Sequence, residues 1–289
     1  MCIRDSNISG DNNVIEVKNG VFVGSGMNDN NDGVWTRTTG GKGYINLTGS
    51  GNTFSMGGLN INGRGDVAGG EGHVVFEGRN NVISVSGTTT VGNHDGAVLN
   101  EEDPDATPPI GTLVLGGKGN TYNFNGELKF GGGGDNYVGY GKVIIKGGGN
   151  TINVNESFQT WSPGDASLGD MRGGILAFQF DSDGISALNI TGAETTFNWS
   201  GSFLEIDFTG LVGAQDSSWT IITSASNTNF AAWSVDQDFL DNKVNWIARD
   251  ESDQYSLVKE DLGDGAWALK VYYTSTVPEP AAFAAVFGL

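Results

Sequence analysis

A four-residue turn, Gly-x-x-Asn, recurs along this chain in a fixed relation to apolar residues on either side, and it constrains the fold more than any other feature. It spans Gly10 to Asn13, Gly49 to Asn52, Gly78 to Asn81, Gly117 to Asn120 and Gly147 to Asn150, with a degenerate sixth copy from Gly192 to Thr195. Two and four residues after each anchor stands an apolar pair: Ile15 and Val17, Phe54 and Met56, Ile83 and Val85, Tyr122 and Phe124, Ile152 and Val154, Phe197 and Trp199. Between the members of each pair lies Glu16, Ser55, Ser84, Asn123, Asn153 or Asn198. That alternation has the period of two of a half-buried strand.

A second pair precedes the anchor: Ile45 and Leu47, Val74 and Phe76, Leu113 and Leu115, Val143 and Ile145, Leu188 and Ile190, with Ile8 fitting the first copy. A looser third strand follows, as in Val21 to Val23, Leu59 to Ile61, Glu127 to Phe130 and Phe203 to Phe208. One unit thus reads strand, Gly-x-x-Asn turn, strand, short turn, strand, variable loop. Successive anchors lie 39, 29, 39, 30 and 45 residues apart, and the surplus falls in Gly24 to Gly43, Gly92 to Ile110 and Ser162 to Gly174. A stacked repeat tolerates such insertions where they loop out on the surface. No single unit can bury its own apolar face, whereas stacked units pair each strand with its equivalent about 4.8 Å away. The expectation is an all-β parallel β-helix, or solenoid, of about six coils and on the order of 30 Å long. The same alternation suits a sandwich of hairpins, which leaves the constant register around the anchor unexplained.

Asn at the recurrent corner is expected to take the left-handed conformation of a sharp turn, and stacked Asn13, Asn52, Asn81, Asn120 and Asn150 to hydrogen-bond from coil to coil. From about Gly210 the repeat fades and Trp219, Trp233, Trp246 and Trp267 appear, so residues 7–209 read as the solenoid and 210–274 as a β cap over its open sheet edge. Residues 275–289 form a separate apolar segment.

Composition agrees with many short strands and tight turns: 47 glycines and only 6 prolines in 289 residues. A net charge of -19 argues against nucleic acid, which needs clustered Lys and Arg. Cys2 is the only cysteine, so no internal disulfide forms. The opening Met1-Cys2-Ile3-Arg4-Asp5-Ser6 resembles a translated sequencing adapter, which places the start of the natural chain upstream of Asn7.

At the other end, Val277-Pro278-Glu279-Pro280 precedes an uncharged run, Ala281 to Leu289, whose nine residues cannot cross a bilayer, which needs about 20, and are expected to be the first half of such a span. This arrangement resembles the PEP-CTERM sorting signal of bacteria that make an extracellular polymeric matrix. The resemblance covers about the last 13 residues and lacks the Arg cluster that closes the family's signal. It implies export to the cell surface or matrix, processing by an exosortase-type enzyme, and membrane contact only through the truncated C-terminal segment. The body also looks like the strand repeats of such surface proteins and of autotransporter passengers, a likeness of pattern that carries no functional residues.

Candidate chemistry is sparse. His73 and His94 stand apart in glycine-rich sequence, which fits neither a Ser-His-Asp site nor a zinc site. Asn28 to Gly33, Gly131 to Asp135 and Asp181 to Gly184 come near calcium-loop patterns without completing them, leaving calcium the one candidate cofactor. Arg64-Gly65-Asp66 reads as chance in so Gly- and Asp-rich a chain. A polysaccharide lyase or hydrolase would line up carboxylates with Arg or Lys on one outer face, but Glu127, Glu205 and Asp207 fall in different units or on a single strand near the cap; Glu205 and Asp207 share a strand face and could make a pair, with an exposed polar edge the ordinary reading. The reading is a non-catalytic structural or adhesive matrix protein. The alternative is a β-helix that binds or cleaves polysaccharide, with Trp35 and Trp161 lining a groove.

Overall fold

The computed structural model describes residues 2–3, 5–24, 29–31, 34–36, 41–61, 70–92, 110–131, 140–161, 173–191, 196–199, 202–211, 216–225, 228–248 and 254–274. These residues are mostly strands, arranged in parallel sheets with two short helices near the C-terminus.

Parallel pairing sorts the strands into three ladders. The first is an eight-stranded sheet of Asp5–Ile8, Lys42–Leu47, Glu71–Phe76, Ile110–Leu115, Tyr140–Lys146, Gly173–Gln179, Phe203–Asp207 and Val244–Ile247, parallel throughout. The second and third are arms of a 14-stranded sheet that meet in Thr53–Ile61. The first half of that strand pairs with Val82–Val85 and its second half with Thr89–Val91. The second ladder continues through Thr121–Phe124, Thr151–Val154, Leu188–Ile190 and Ser217–Ser224. The third continues through Glu127–Gly131, Ser157–Trp161 and Thr196–Trp199. Antiparallel strands Ala266–Thr274 and Gln254–Gly263 finish the second ladder.

Register does the packing. Leu47, Phe76, Leu115, Ile145, Phe178 and Ile206 are successive partners in the first ladder, and Phe54, Ile83, Tyr122, Ile152, Leu188 and Ile222 in the second. All are buried, forming one continuous core. Each such side chain contributes roughly 1.5–3 kcal/mol on burial.

A row of glycines that the sequence reading passed over fixes where each first-ladder strand begins. Gly43, Gly72, Gly111, Gly141 and Gly174 are register partners. A Cβ on Gly111 would stand 2.4 Å from the Gly92 nitrogen and 2.5 Å from the Ile61 carbonyl oxygen; one on Gly141 would stand 2.1 Å from the Val91 carbonyl oxygen. The end of each third-ladder strand lies against the start of a first-ladder strand, too close for any side chain there.

Two expectations are corrected. Leu188 and Ile190 do not begin a unit: they pair with Ile152 and Val154 in the second ladder. Phe197 and Trp199 accordingly belong to the third, opposite Phe158 and Thr160, the first-ladder strand of that unit is Gly173–Gln179, and Phe203–Asp207, expected as a third strand, is the next strand of the first ladder. Nor does parallel pairing stop at Gly210, since Ser217–Ser224 and Val244–Ile247 extend the second and first ladders in parallel. Where a third strand would come next, helix α1 (Thr228–Ala232) and helix α2 (Gln237–Lys243) intervene, the latter capped by the Asp236 carboxylate accepting from the Phe239 N–H at 3.0 Å.

The helices place Phe230, Trp233 and Phe239 over Phe197 and Trp199, with Trp199 and Trp233 stacked at 5.2 Å. Lys259 donates to the Ala231 and Trp233 carbonyls, each at 2.6 Å, and lies 4.6 Å from the Trp267 ring centroid. Among the described residues no helix is long and apolar enough to cross a membrane.

Candidate functional site

Two surfaces concentrate polar side chains: the recurrent turn between the first and second ladders, and the outer face of the first ladder. At the turn, the Asn13 N–H donates to Oδ1 of Asn52 at 2.8 Å, Asn52 to Asn81 at 2.8 Å, Asn81 to Asn120 at 2.8 Å and Asn120 to Asn150 at 3.0 Å. In the reverse direction, Nδ2 of Asn81, Asn120 and Asn150 donates to the carbonyls of Gly49, Gly78 and Gly117 at 2.8, 3.2 and 2.9 Å. Asn81, Asn120 and Asn150 therefore accept from the preceding repeat through the oxygen and donate back to it through the amide, whereas Asn52 accepts through its oxygen and its buried Nδ2 has no hydrogen-bond partner among the described residues. Burial makes this consequential, because an unsatisfied buried polar group costs about 1–3 kcal/mol.

The conformational role expected for these asparagines belongs to the residue before them. Left-handed φ occurs at Asn12 (57°), Gly51 (70°), Asn80 (54°), Gly119 (72°) and Gly149 (82°), whereas the anchor asparagines act through their side chains. In the sixth turn the place of the anchor is taken by Ser186. Its Oγ accepts from the Asn150 N–H at 3.0 Å and donates to the Gly147 carbonyl at 2.8 Å. The Gly192 to Thr195 copy lies outside the described residues.

A second polar row runs along the outward side of the second ladder. Nδ2 of Asn153 donates to Asn123 Oδ1 at 3.0 Å, Nδ2 of Asn189 to Asn153 Oδ1 at 3.2 Å, and the Thr223 hydroxyl to Asn189 Oδ1 at 2.9 Å.

The first ladder's outer face carries charge and aromatics. The Tyr44 and His73 rings stack with centroids 5.0 Å apart, beside a Lys42–Glu71 ion pair of 2.8 Å. Burial is the larger influence on His73 and pulls its pKa below the ordinary range; the Glu71 charge opposes this and the Lys42 charge adds to it. Lys146 reaches Glu77 at 3.0 Å and Lys142 reaches Glu205 at 2.9 Å, the latter pair mostly buried. Tyr140 nearby has its phenol pushed upward, mainly by burial and secondarily by the Glu205 charge.

Glu205 and Asp207, expected to share a strand face, are tied to different partners. Glu205 pairs with Lys142, while Asp207 accepts from the Thr209 N–H at 2.9 Å and hydroxyl at 2.6 Å. Glu127 pairs with Lys129 at 3.1 Å.

Of the three calcium-like stretches, Asp181 to Gly184 is described. Asp181 Oδ1 accepts from the Asp183 N–H at 2.8 Å and the Gly148 N–H at 3.2 Å, and Asp183 pairs with Lys118 at 2.6 Å. The carboxylates close the turn. Among the described residues no group of three or more His, Cys, Asp or Glu is placed to hold a metal. His94, Arg64 to Asp66, the side chains of Trp35 and Trp161, most of Asn28 to Gly33 and of Gly131 to Asp135, and Val277, Pro278, Glu279 and Pro280 lie outside the described residues.

No protein-family model, curated protein or solved structure matches this chain.

Proposed function

We propose that the three ladders are the sides of a parallel β-solenoid, and that the protein is an exported, non-catalytic structural or adhesive component of the cell surface or extracellular matrix. The observation that carries this reading is the Asn52–Asn81–Asn120–Asn150–Ser186 relay, kept through repeats of unequal length. A chain whose recurrent polar residues bond one repeat to the next is organised to persist as a rod. The Val277 to Pro280 motif supplies the destination, with an exosortase-type enzyme as processing partner and extracellular polysaccharide as neighbour.

The test is fractionation of the tagged protein in a bacterium with such a sorting system, beside a Pro278→Ala/Glu279→Ala/Pro280→Ala variant in the full-length gene. The expected result is wild-type protein at the surface or in the matrix, and unprocessed variant held in the membrane fraction. Wild-type protein retained in the cytoplasm would overturn the reading. A second reading, a glycan-binding or glycan-cleaving β-helix, draws on Tyr44, His73 and Tyr140 on one outer face. Release of sugar fragments by the purified chain would move it to the front.

A further inference from the structure

Beside the Gly-x-x-Asn turns the surface holds a concavity walled by charge. Glu77, Arg79, Lys118, Lys146, Asp181 and Asp183 line a notch of about 380 Å³ in the middle of the stack. A volume of that order lies within the roughly 300–1,000 Å³ of small-molecule sites.

Absent side chains shape the notch. A Cβ on Gly116 would stand 3.3 Å from Glu77 Cγ and 3.5 Å from Lys146 Cβ, so this glycine sits between the two and leaves their 3.0 Å ion pair clear. A Cβ on Gly148 would stand 2.3 Å from the Asp183 carbonyl oxygen, and one on Gly147 2.2 Å from Asp181 Oδ2. These two glycines let the aspartate turn lean across them, which brings Asp183 within 2.6 Å of Lys118, two turns away.

Charge is also set against like charge. Arg79 and Lys118, from successive turns, are parallel register partners, with Ser50 the partner before them. Like charges directly opposite each other destabilise a sheet. Asp183 relieves Lys118, and Glu77 is paired with Lys146. The Arg79 side chain is exposed, and among the described residues its guanidinium has no such partner. A chain of net charge -19 thus keeps, at this notch, two opposed cations of which one is uncompensated.

We propose that the notch binds a uronate, the carboxylate-bearing sugar unit of an acidic polysaccharide, and that Arg79 takes the carboxylate. A guanidinium presents a planar fork that matches a carboxylate through two parallel hydrogen bonds. One uncompensated cation suits one negative charge, whereas a phosphate dianion would also face Glu77, Asp181 and Asp183. Those carboxylates and the flanking lysines supply acceptors and donors for sugar hydroxyls. The inference gives a chemical class to the polysaccharide neighbour proposed above and rests on that reading for its setting alone. Binding is measured on the purified chain and export by fractionation, so either can fail without the other.

Calorimetric titration of the purified chain with short oligomers of galacturonate, glucuronate and mannuronate, each beside its methyl ester, tests it. At least one free acid is expected to bind, and its ester to bind about tenfold more weakly or worse. Arg79→Ala should weaken binding of the acid at least about tenfold, and Arg79→Lys should recover only part, since it restores the charge without the fork. Arg79→Ala should leave the unfolding midpoint at or above its wild-type value, because it removes one of two opposed charges. Failure of all three acids to bind overturns the proposal, as does binding that Arg79→Ala leaves unchanged, equal binding of acid and ester, or binding of inorganic phosphate in place of any uronate.

Discussion

The middle of the molecule and its C-terminal end solve the same problem, covering an apolar face, by opposite means. From Lys42 to Trp161 the units repeat one solution, with aliphatic and aromatic side chains stacked in register and an asparagine at each turn relaying hydrogen bonds. After Trp199 the first and second ladders run on but no third-ladder strand follows among the described residues, and closure depends on unrepeated aromatic contacts, in which the Phe208 ring centroid lies 4.5 Å from that of Tyr255 and 4.7 Å from that of Phe180. A repeated solution distributes its stabilisation over equivalent rungs, whereas an unrepeated one concentrates it.

Phe208→Ala is therefore expected to cost the most, about 3–5 kcal/mol, read as a shift in the denaturant midpoint. Its ring is fully buried and also stacks on Trp246. A cost near 1 kcal/mol would mean that the end cluster is not the closure described.

Asn120→Ala should follow, at roughly 1–3 kcal/mol, because it leaves the buried Asn81 N–H without its acceptor, while the Gly116 carbonyl keeps the Tyr122 hydroxyl. Asn120→Ser sharpens the comparison, since Ser186 fills the same role two units on; it should recover part of the loss. If serine and alanine proved equal, the relay would not be what holds the repeats.

The smallest effect concerns pH. The folded protein holds the His73 pKa below its ordinary 6.5 through burial, so the unfolded chain binds that proton more readily. Stability is retained above that value and declines as pH falls below it. His73→Gln should flatten this slope and leave the neutral-pH midpoint almost unchanged.

The stacked middle was legible in the sequence, and the reason is instructive. Pairs such as Ile83 and Val85, or Leu113 and Leu115, show which side chains face inward, but that alternation is the same on all three ladders and cannot say which ladder a strand joins. The anchor asparagine carries that information. Where Ser186 stands in its place, behind a turn closed by Asp181, the label is lost, and the alternation at Leu188 and Ile190 reads as a first-ladder pair although the strand joins the second. A second label is the glycine two residues before Ile45, Val74, Leu113, Val143 and Leu176; at Gly111 and Gly141 the Ile61 and Val91 carbonyls leave no room for a side chain, and at Gly174 the Phe130 ring stands there. Read together, the glycine and the alternation would have placed Gly173–Gln179 on the first ladder. The charged outer face was less legible, since Lys142 and Glu205 meet across 63 residues without any local pattern.

Equivalent positions in the second ladder, Thr53, Val82, Thr121 and Thr151, are separated by 29, 39 and 30 residues, yet from Leu47 to Phe54, Phe76 to Ile83, Leu115 to Tyr122 and Ile145 to Ile152 the count is always seven. The surplus falls almost wholly between the end of a third strand and the next first strand. Phase is thus inherited while length is free. Segments joining a third strand to the next first strand can differ in length while the paired strands on either side keep their register.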